Sequence, residues 1–135
     1  MITTERIILT REIKHLLTSW VEARCLEVAS LNALPKLGLL VRHCNVPVAV
    51  AFLREMEGGK ALIDGFLADP DSDLAVRDEC LNALIRDLIT LAQKNRFTGI
   101  LGLTTNPKVV ERAKRLGFSL MDHRLVSMEV ASCPF

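Results

Sequence analysis

Residues 48–67 read VAVAFLREMEGGKALIDGFL and contain two apolar runs separated by a turn. The runs are Val48–Arg54 and Ala61–Leu67, and the turn Glu57–Lys60 contains two adjacent glycines. Apolar runs of this length joined by a glycine-containing turn are typical of a hairpin. A third apolar run, Leu37–Arg42, precedes a turn at Asn45–Pro47, so the sequence predicts an antiparallel meander of three strands. Both faces of these strands look apolar, which favours helices on both sides of the sheet.

Helical periodicity precedes the meander. Between residues 10 and 29, apolar side chains recur three and four positions apart, which predicts a helix. They are Ile13, Leu16, Leu17, Trp20 and Val21. Thr10 is a suitable N-cap, and Glu12 lies where a carboxylate favours the helix dipole. The run Arg6–Leu9 fits either a strand or an extra helical turn.

A crossover follows the meander. Asp69–Asp73 reads as a loop, and a helix comes next because apolar residues repeat at helical spacing. They are Leu81, Leu84, Ile85, Leu88, Ile89 and Ala92. Gly99–Thr105 then reads as a strand, and a strand–helix–strand unit makes it a parallel neighbour of Ala61–Leu67.

A last helix and two short strands complete the chain. Asn106 and Pro107 begin the helix, because Asn is a strong N-cap and Pro is tolerated at the first helical position. Gly117 is placed to end it in the left-handed conformation. Val109, Ala113 and Leu116 are expected to form its core face. The terminal strands are predicted at about Phe118–Asp122 and Leu125–Val130.

Composition limits the classes of function. The chain has 135 residues, which fits a single domain over residues 1–135. Lys and Arg number 17 against 16 Asp and Glu, so the basic excess typical of nucleic-acid-binding proteins is missing. The four cysteines form no Cys-x-x-Cys pair, which leaves a zinc site unsupported and predicts reduced core thiols. No signal peptide or membrane-spanning run is readable, so a cytoplasmic protein is expected.

The order of these elements resembles the GCN5-related N-acetyltransferase (GNAT) family. The most specific local pieces are Thr105-Asn106-Pro107 and Arg115-Leu116-Gly117-Phe118, and residues 92–97 resemble the end of the preceding family helix. The resemblance implies an α+β fold with a mixed, mostly antiparallel sheet. Helices would cover both faces, and a splayed parallel pair would lie at the centre of the sheet.

The resemblance also implies a site for acetyl-CoA. In the family, the pantetheine arm pairs with the splayed strand, which corresponds here to Phe66, Leu67 and Ala68. The pyrophosphate lies on the start of the next helix, at about residues 77–82. The implied cofactor residues there and at the last helix are Arg77, Asp78, Glu79, Cys80 and Asn106.

The chain departs from the family pattern at this phosphate site. The frame at residues 77–82 has an arginine and neither glycine of the family's phosphate loop. It places Asp78 and Glu79 at the expected helix start, after three more aspartates at positions 69, 71 and 73. Carboxylates there stabilise a helix but repel a pyrophosphate. An ordinary capped helix is the simpler interpretation, and a weakened CoA site is the second.

Catalytic residues are sparse. The family's usual general acid is a tyrosine four residues before Gly117, where this chain has Ala113, and the chain contains no tyrosine. Asp64, inside an apolar strand, is the candidate general base because desolvation would raise its pKa. The alternative is a carboxylate paired with an arginine or facing solvent.

Several other side chains are weaker candidates. His43, Glu55 and Glu57 are weaker bases, and Cys80 is a weak nucleophile candidate better explained as a core thiol. The basic residues Arg112, Lys114 and Arg115 are expected on the exposed face of the last helix. They would be solvated there or, by resemblance, near the adenosine phosphate of CoA.

Two functions remain open from sequence. The first is an N-acyltransferase in which an amine attacks the thioester of acetyl-CoA directly, with backbone near Leu67 holding the carbonyl oxygen and Asp64 accepting the proton. The second is a catalytically degenerate protein of the same fold that binds a ligand or partner. The apolar end of the chain, residues 125–135, also suggests a homodimer.

Overall fold

The computed structural model describes residues 1–23 and 33–122, together with Val126 and Met128. Five strands are present: β1 (Ile2–Arg6), β2 (Leu37–His43), β3 (Val46–Glu55), β4 (Lys60–Ala68) and β5 (Gly99–Leu101). The helices are α1 (Arg11–Ala23), α2 (Leu74–Lys94) and α3 (Pro107–Arg115). Within these described residues, no helix is long and apolar enough to cross a membrane.

The strands form one sheet in the order β1-β2-β3-β4-β5. The predicted antiparallel meander β2–β3–β4 is confirmed, and β1 pairs antiparallel with β2. The open choice for Arg6–Leu9 is thereby settled, since Arg6 ends a strand and residues 7–9 are irregular. The predicted parallel pairing of β4 and β5 is also confirmed.

Each face of the sheet is covered by a helix, as predicted. On β3, Ala51 and Leu53 pack in the core beneath α2, whereas Val50 and Phe52 pack in the core beneath α1. This alternation follows from the period of two in a strand. Apolar side chains of the two helices fill these cores, namely Leu84 and Leu88 of α2 and Leu17, Trp20 and Val21 of α1.

The Phe52 ring is held between two glycines on the neighbouring strands. A Cβ placed on Gly38 of β2 would lie 2.5 Å from two ring carbons of Phe52. A Cβ on Gly65 of β4 would lie 2.9 Å from the other side of the ring. Both glycines are therefore needed because no side-chain atom fits beside this fully buried ring.

The first helix has the predicted cap. Thr10 Oγ1 accepts a hydrogen bond from the Ile13 N–H at 3.3 Å, and its carbonyl accepts one from the Lys14 N–H at 2.9 Å. The helix is described as far as Ala23, and its predicted extension to residue 29 lies outside the described residues.

Two sequence-based predictions differ from the structure. The strand expected over Gly99–Thr105 ends at Leu101, and Phe118–Asp122 is irregular instead of a strand. Among the described strands, the parallel pair of β4 and β5 forms one side of the sheet. The strand expected over 125–130 lies outside the described residues except for Val126 and Met128.

Candidate active site

The candidate site lies where β4 and β5 diverge. The two strands pair only over Lys60–Leu62 and Gly99–Leu101, where β5 ends. β4 continues to Ala68, and its far end pairs with β3 at Leu67 and Ala68. No described residue of β5 pairs with residues 63–66 of β4. This edge can therefore accept an extended chain by strand addition.

A bend in β4 produces the divergence. Gly65 adopts φ +62°, and the register between β3 and β4 shifts beside it. A left-handed glycine at such an irregularity bends the strand. The Phe66 side chain is 39% exposed at this bend, whereas Leu67 is buried in the core beneath α1.

Helix α2 begins at Leu74, directly after the predicted loop Asp69–Asp73, and Asp73 is its N-cap. The family frame, which put Asp78 and Glu79 at the helix start, was wrong, because both lie beyond the first three residues of the helix. Asp73 Oδ2 accepts from the Val76 N–H at 3.2 Å, and the Asp73 carbonyl accepts from the Arg77 N–H at 2.8 Å. An aspartate before an apolar helix is a preferred N-cap, which agrees with the predicted end of the loop at Asp73.

The Arg77 side chain stabilises the loop before α2 by hydrogen bonds. Its Nε donates to Ser72 Oγ at 2.9 Å, and one terminal nitrogen donates to the carbonyls of Pro70 and Ser72 at 3.0 Å each. Asp69 Oδ1 accepts from the Asp71 N–H at 2.9 Å. The Arg77 side chain thus donates its hydrogen bonds to the loop. The interpretation of this segment as an ordinary capped helix therefore fits the structure.

The start of α3 is built as predicted. Asn106 Oδ1 accepts from the Lys108 N–H at 3.0 Å, and Pro107 is the first helical residue. Gly117 ends the helix region with φ +99°. The expected core face is only partial, because Ala113 and Leu116 are half-buried. Val109 is exposed, so the prediction for that residue was wrong.

An ion pair joins α2 and α3, the helices that follow the two diverging strands. Arg112 donates from a terminal nitrogen to Asp78 Oδ1. The Arg112 side chain is 17% exposed and that of Asp78 is 49% exposed. Arg112 Nε is buried and finds no hydrogen-bond partner among the described residues. The prediction of an exposed Arg112 was therefore wrong.

Asp78 is held in its charged form. The hydrogen bond from Arg112 lowers the pKa of Asp78, partial desolvation opposes this, and the charges of Arg112 and Arg115 lower the pKa further. Two guanidinium groups therefore act on one carboxylate. Helical spacing could have found the partial burial of Arg112, since it stands four residues before Leu116, which is half-buried.

Asp64 forms an ion pair on the α1 side of β4. Its Oδ2 lies 2.7 Å from Arg54 Nε, and its Oδ1 accepts from the Gly65 N–H at 2.8 Å. Arg54 also donates to the Ala33 carbonyl. The two side chains are 43% (Arg54) and 38% (Asp64) exposed. The desolvated environment expected for Asp64 is absent, and the alternative of pairing with an arginine is observed.

Comparisons with known proteins identify the fold. No protein-family model matches the sequence, and no curated protein matches it. Among solved structures, a GNAT family acetyltransferase from Streptococcus pneumoniae is similar at a TM-score of 0.69 and 13% identity, covering 96% of this chain and 100% of that one. The chain has the GNAT fold.

Two further structures with the GNAT fold carry ligands. A predicted acetyltransferase with acetyl-CoA from Clostridium acetobutylicum has a TM-score of 0.67 and 14% identity, covering 95% of this chain and 96% of that one. An aminoglycoside acetyltransferase from an uncultured soil metagenomic sample, in complex with sisomicin, has a TM-score of 0.69 and 12% identity, with 97% coverage of both chains.

The other candidate bases of this GNAT fold lie at strand ends or in a turn. Glu55 and Glu57 are exposed at the β3–β4 turn. His43 ends β2 and, with the Asp69–Asp73 loop, lines a cavity of about 320 Å³. Ala113, at the position of the missing tyrosine, is half-buried in α3.

Cys80 is a core thiol, as expected. It is fully buried on the sheet side of α2, and burial together with the charge of Glu79 raises its pKa. Cys44 carries a free thiol but is exposed, which corrects the prediction of a core thiol there. The remaining cysteines, Cys25 and Cys133, lie outside the described residues.

Iodoacetamide should distinguish these two thiols. We expect Cys44 to be alkylated in the native protein at about pH 7.5 and Cys80 to react only after unfolding, because the thiolate is the reactive form and burial disfavours it. Peptide mass spectrometry of native and guanidinium-treated samples measures both. Equal native labelling would contradict the packing of α2 on the sheet.

Proposed function

We propose that the protein is an N-acyltransferase that transfers an acyl group from an acyl-CoA to an amine. The observation that carries this proposal is the edge of β4 at residues 63–66, with which no described residue of β5 pairs, in a chain with the GNAT fold. A pantetheine arm is an extended chain with amide groups, and residues Phe66 and Leu67 fit it by strand addition.

The phosphate end of the cofactor fits less well at the site expected from sequence. The first turn of α2 is capped by Asp73, and the Arg77 donors are taken by the loop. The carboxylates of Asp69, Asp71 and Asp73 would repel a diphosphate. This disagreement favours a second candidate function, a catalytically degenerate binding module.

The proposed mechanism uses few residues of this chain. Acyl-CoA supplies an activated thioester, which the amine attacks with formation of a C–N bond and loss of the C–S bond. The β4 backbone near Leu67 orients the acyl group. Asp64 accepts the proton from the attacking amine, directly or through one water, while Arg54 positions the carboxylate. Because Ala113 offers no acid, the leaving thiolate takes its proton from solvent.

Location and assembly are further proposals. The exposed free thiol of Cys44 and the lack of a Cys-x-x-Cys motif support a reducing, cytoplasmic location. The apolar end of the chain supports a homodimer, and light scattering at micromolar concentration measures this. A monomer there would contradict the dimer.

Calorimetric titration with acetyl-CoA tests the proposed function. We expect micromolar affinity in the wild type and weaker binding in Asn106→Ala, because this residue caps α3 at the mouth of the cleft. Asn106→Ser is the matched control, since serine also caps helices. If both variants bind acetyl-CoA weakly, Asn106 contacts the cofactor directly. If only Asn106→Ala binds it weakly, Asn106 affects binding by capping α3.

An amine panel then separates the two candidate functions. Transfer from acetyl-CoA to a polyamine, an aminoglycoside or an alanyl peptide, followed as thiol release, supports the enzyme. Saturable binding without transfer to any acceptor supports the binding module, and no binding at millimolar acetyl-CoA contradicts the acyltransferase.

A further inference from the structure

Arg112 is an arginine whose hydrogen-bonding capacity is only partly used. A guanidinium group has five N–H donors, yet among the described residues the Arg112 side chain has one hydrogen-bond partner, Asp78. The Nε atom of Arg112 is buried and has no hydrogen-bond partner among the described residues. Leaving a buried donor unsatisfied is costly, so the environment of Arg112 favours a second acceptor.

The surrounding charges attract an anion. Arg115 stands three residues after Arg112 on α3, so the two guanidinium groups are neighbours on one side of the helix. The rest of α3 adds Lys108 and Lys114 against Glu111. An anion with several oxygen atoms would satisfy more guanidinium donors than Asp78 does, since arginine binds phosphate in a bidentate geometry.

The position matches the open end of the cleft. α2 follows the far end of β4, and α3 follows the end of the parallel strand β5, so both helices begin at the edge of the sheet where the two strands diverge. A chain added along the edge of β4 toward Ala68 would run toward the start of these helices. The guanidinium groups of α3 are therefore placed to receive the charged end of such a chain.

We propose that Arg112 and Arg115 form a phosphoryl-binding site between α2 and α3, and that Asp78 occupies Arg112 until a phosphoryl group displaces it. This inference rests on the proposed function, in which the diphosphate or the 3′-phosphate of CoA is the ligand. Side chains of α3, instead of backbone amides at the start of a helix, would then bind the phosphoryl group. The Asp78 carboxylate would compete with that group for Arg112.

The two partners of the ion pair should then have opposite effects on binding. Arg112→Gln is expected to weaken the affinity for CoA about tenfold, because a charge-assisted hydrogen bond is lost. Asp78→Asn is expected to strengthen it about fivefold, because a competing negative charge is removed. If the pair were only a structural bridge, neither variant would strengthen binding.

The experiment is a calorimetric titration of wild type, Asp78→Asn and Arg112→Gln with CoA. Glu111→Gln is the matched control, since it removes a negative charge from an exposed position next to Arg112. Circular dichroism checks that each variant is folded. Repeating the titrations with dephospho-CoA, which lacks the 3′-phosphate, shows which phosphoryl group is bound. If Arg112→Gln weakens the affinity for dephospho-CoA as much as that for CoA, the ligand is the diphosphate. If the substitution no longer weakens the affinity, the ligand is the 3′-phosphate.

The possible outcomes separate the phosphoryl site from the acyltransferase. Opposite effects in Asp78→Asn and Arg112→Gln, with Glu111→Gln near wild type, support the phosphoryl site. Effects in the same direction, or equal strengthening by Glu111→Gln, overturn it while leaving the acyltransferase intact. If the wild type does not bind CoA, the acyltransferase proposal is overturned. The phosphoryl site is then tested by NMR titration with inorganic pyrophosphate, for which Asp78→Asn should again strengthen binding and Arg112→Gln should again weaken it.

Discussion

Replacing Asp64 by asparagine is expected to lower the rate of acyl transfer about a hundredfold, the contribution typical of a positioned general base. The substituted amide keeps the size of the side chain and an oxygen for Arg54, which lies 2.7 Å away in the wild type. The affinity for acetyl-CoA should change little, so the loss should appear in kcat. Steady-state kinetics at saturating acyl donor measures this.

A matched carboxylate separates catalysis from net charge. Glu57→Gln removes the same charge at the exposed β3–β4 turn and should leave kcat unchanged. A kcat of Asp64→Asn within about twofold of the wild type would show that solvent, and not Asp64, takes the proton.

Replacing Gly38 by alanine should destabilise the fold by about 2 kcal/mol, the middle of the range for overpacking a core. The new methyl group would lie 2.5 Å from the Phe52 ring, which Gly65 confines on its other side. The ring is fully buried and cannot move away without repacking β2 or β4. Thermal unfolding should show a Tm about 7 °C lower.

Two variants test that explanation. Gly102→Ala places its methyl group no closer than 4.0 Å to Ile63 and should leave the Tm nearly unchanged. Phe52→Leu should recover part of the stability in the Gly38→Ala background, because it removes the clashing ring atoms. Additive losses in the double variant would place the cause of the Gly38→Ala effect elsewhere.

The arrangement of the sheet could be predicted from sequence because its signals are local. The turns at Asn45–Pro47 and Glu57–Lys60 separate runs of strand-forming residues, and the period of α2 is unambiguous. These features determine the meander and the crossover, and Asn106 with Pro107 determines the start of α3. Each of these signals acts within a few residues of the element it specifies.

The candidate site was less predictable because it depends on contacts between distant segments. The ion pair of Arg112 with Asp78 joins residues 34 positions apart, and that of Arg54 with Asp64 depends on register. The loop Asp69–Asp73 placed the start of α2 correctly, whereas the family frame at residues 77–82 misplaced the phosphate site because it did not take account of the capping aspartate at position 73. Strand endings such as that of β5 depend on the neighbouring strand and carry no motif.

The order of the five described strands has a consequence for how the chain folds. Every strand lies beside the strand that precedes or follows it in sequence, so no strand is inserted between two others already paired. The two hairpins β2–β3 and β3–β4 need only short loops to close, and loop closure is the main entropic barrier to pairing strands. We expect this meander to form the folding nucleus, with β1 and β5 added after their helices dock. The short parallel pair that leaves the cleft open would then be the last part of the sheet to assemble.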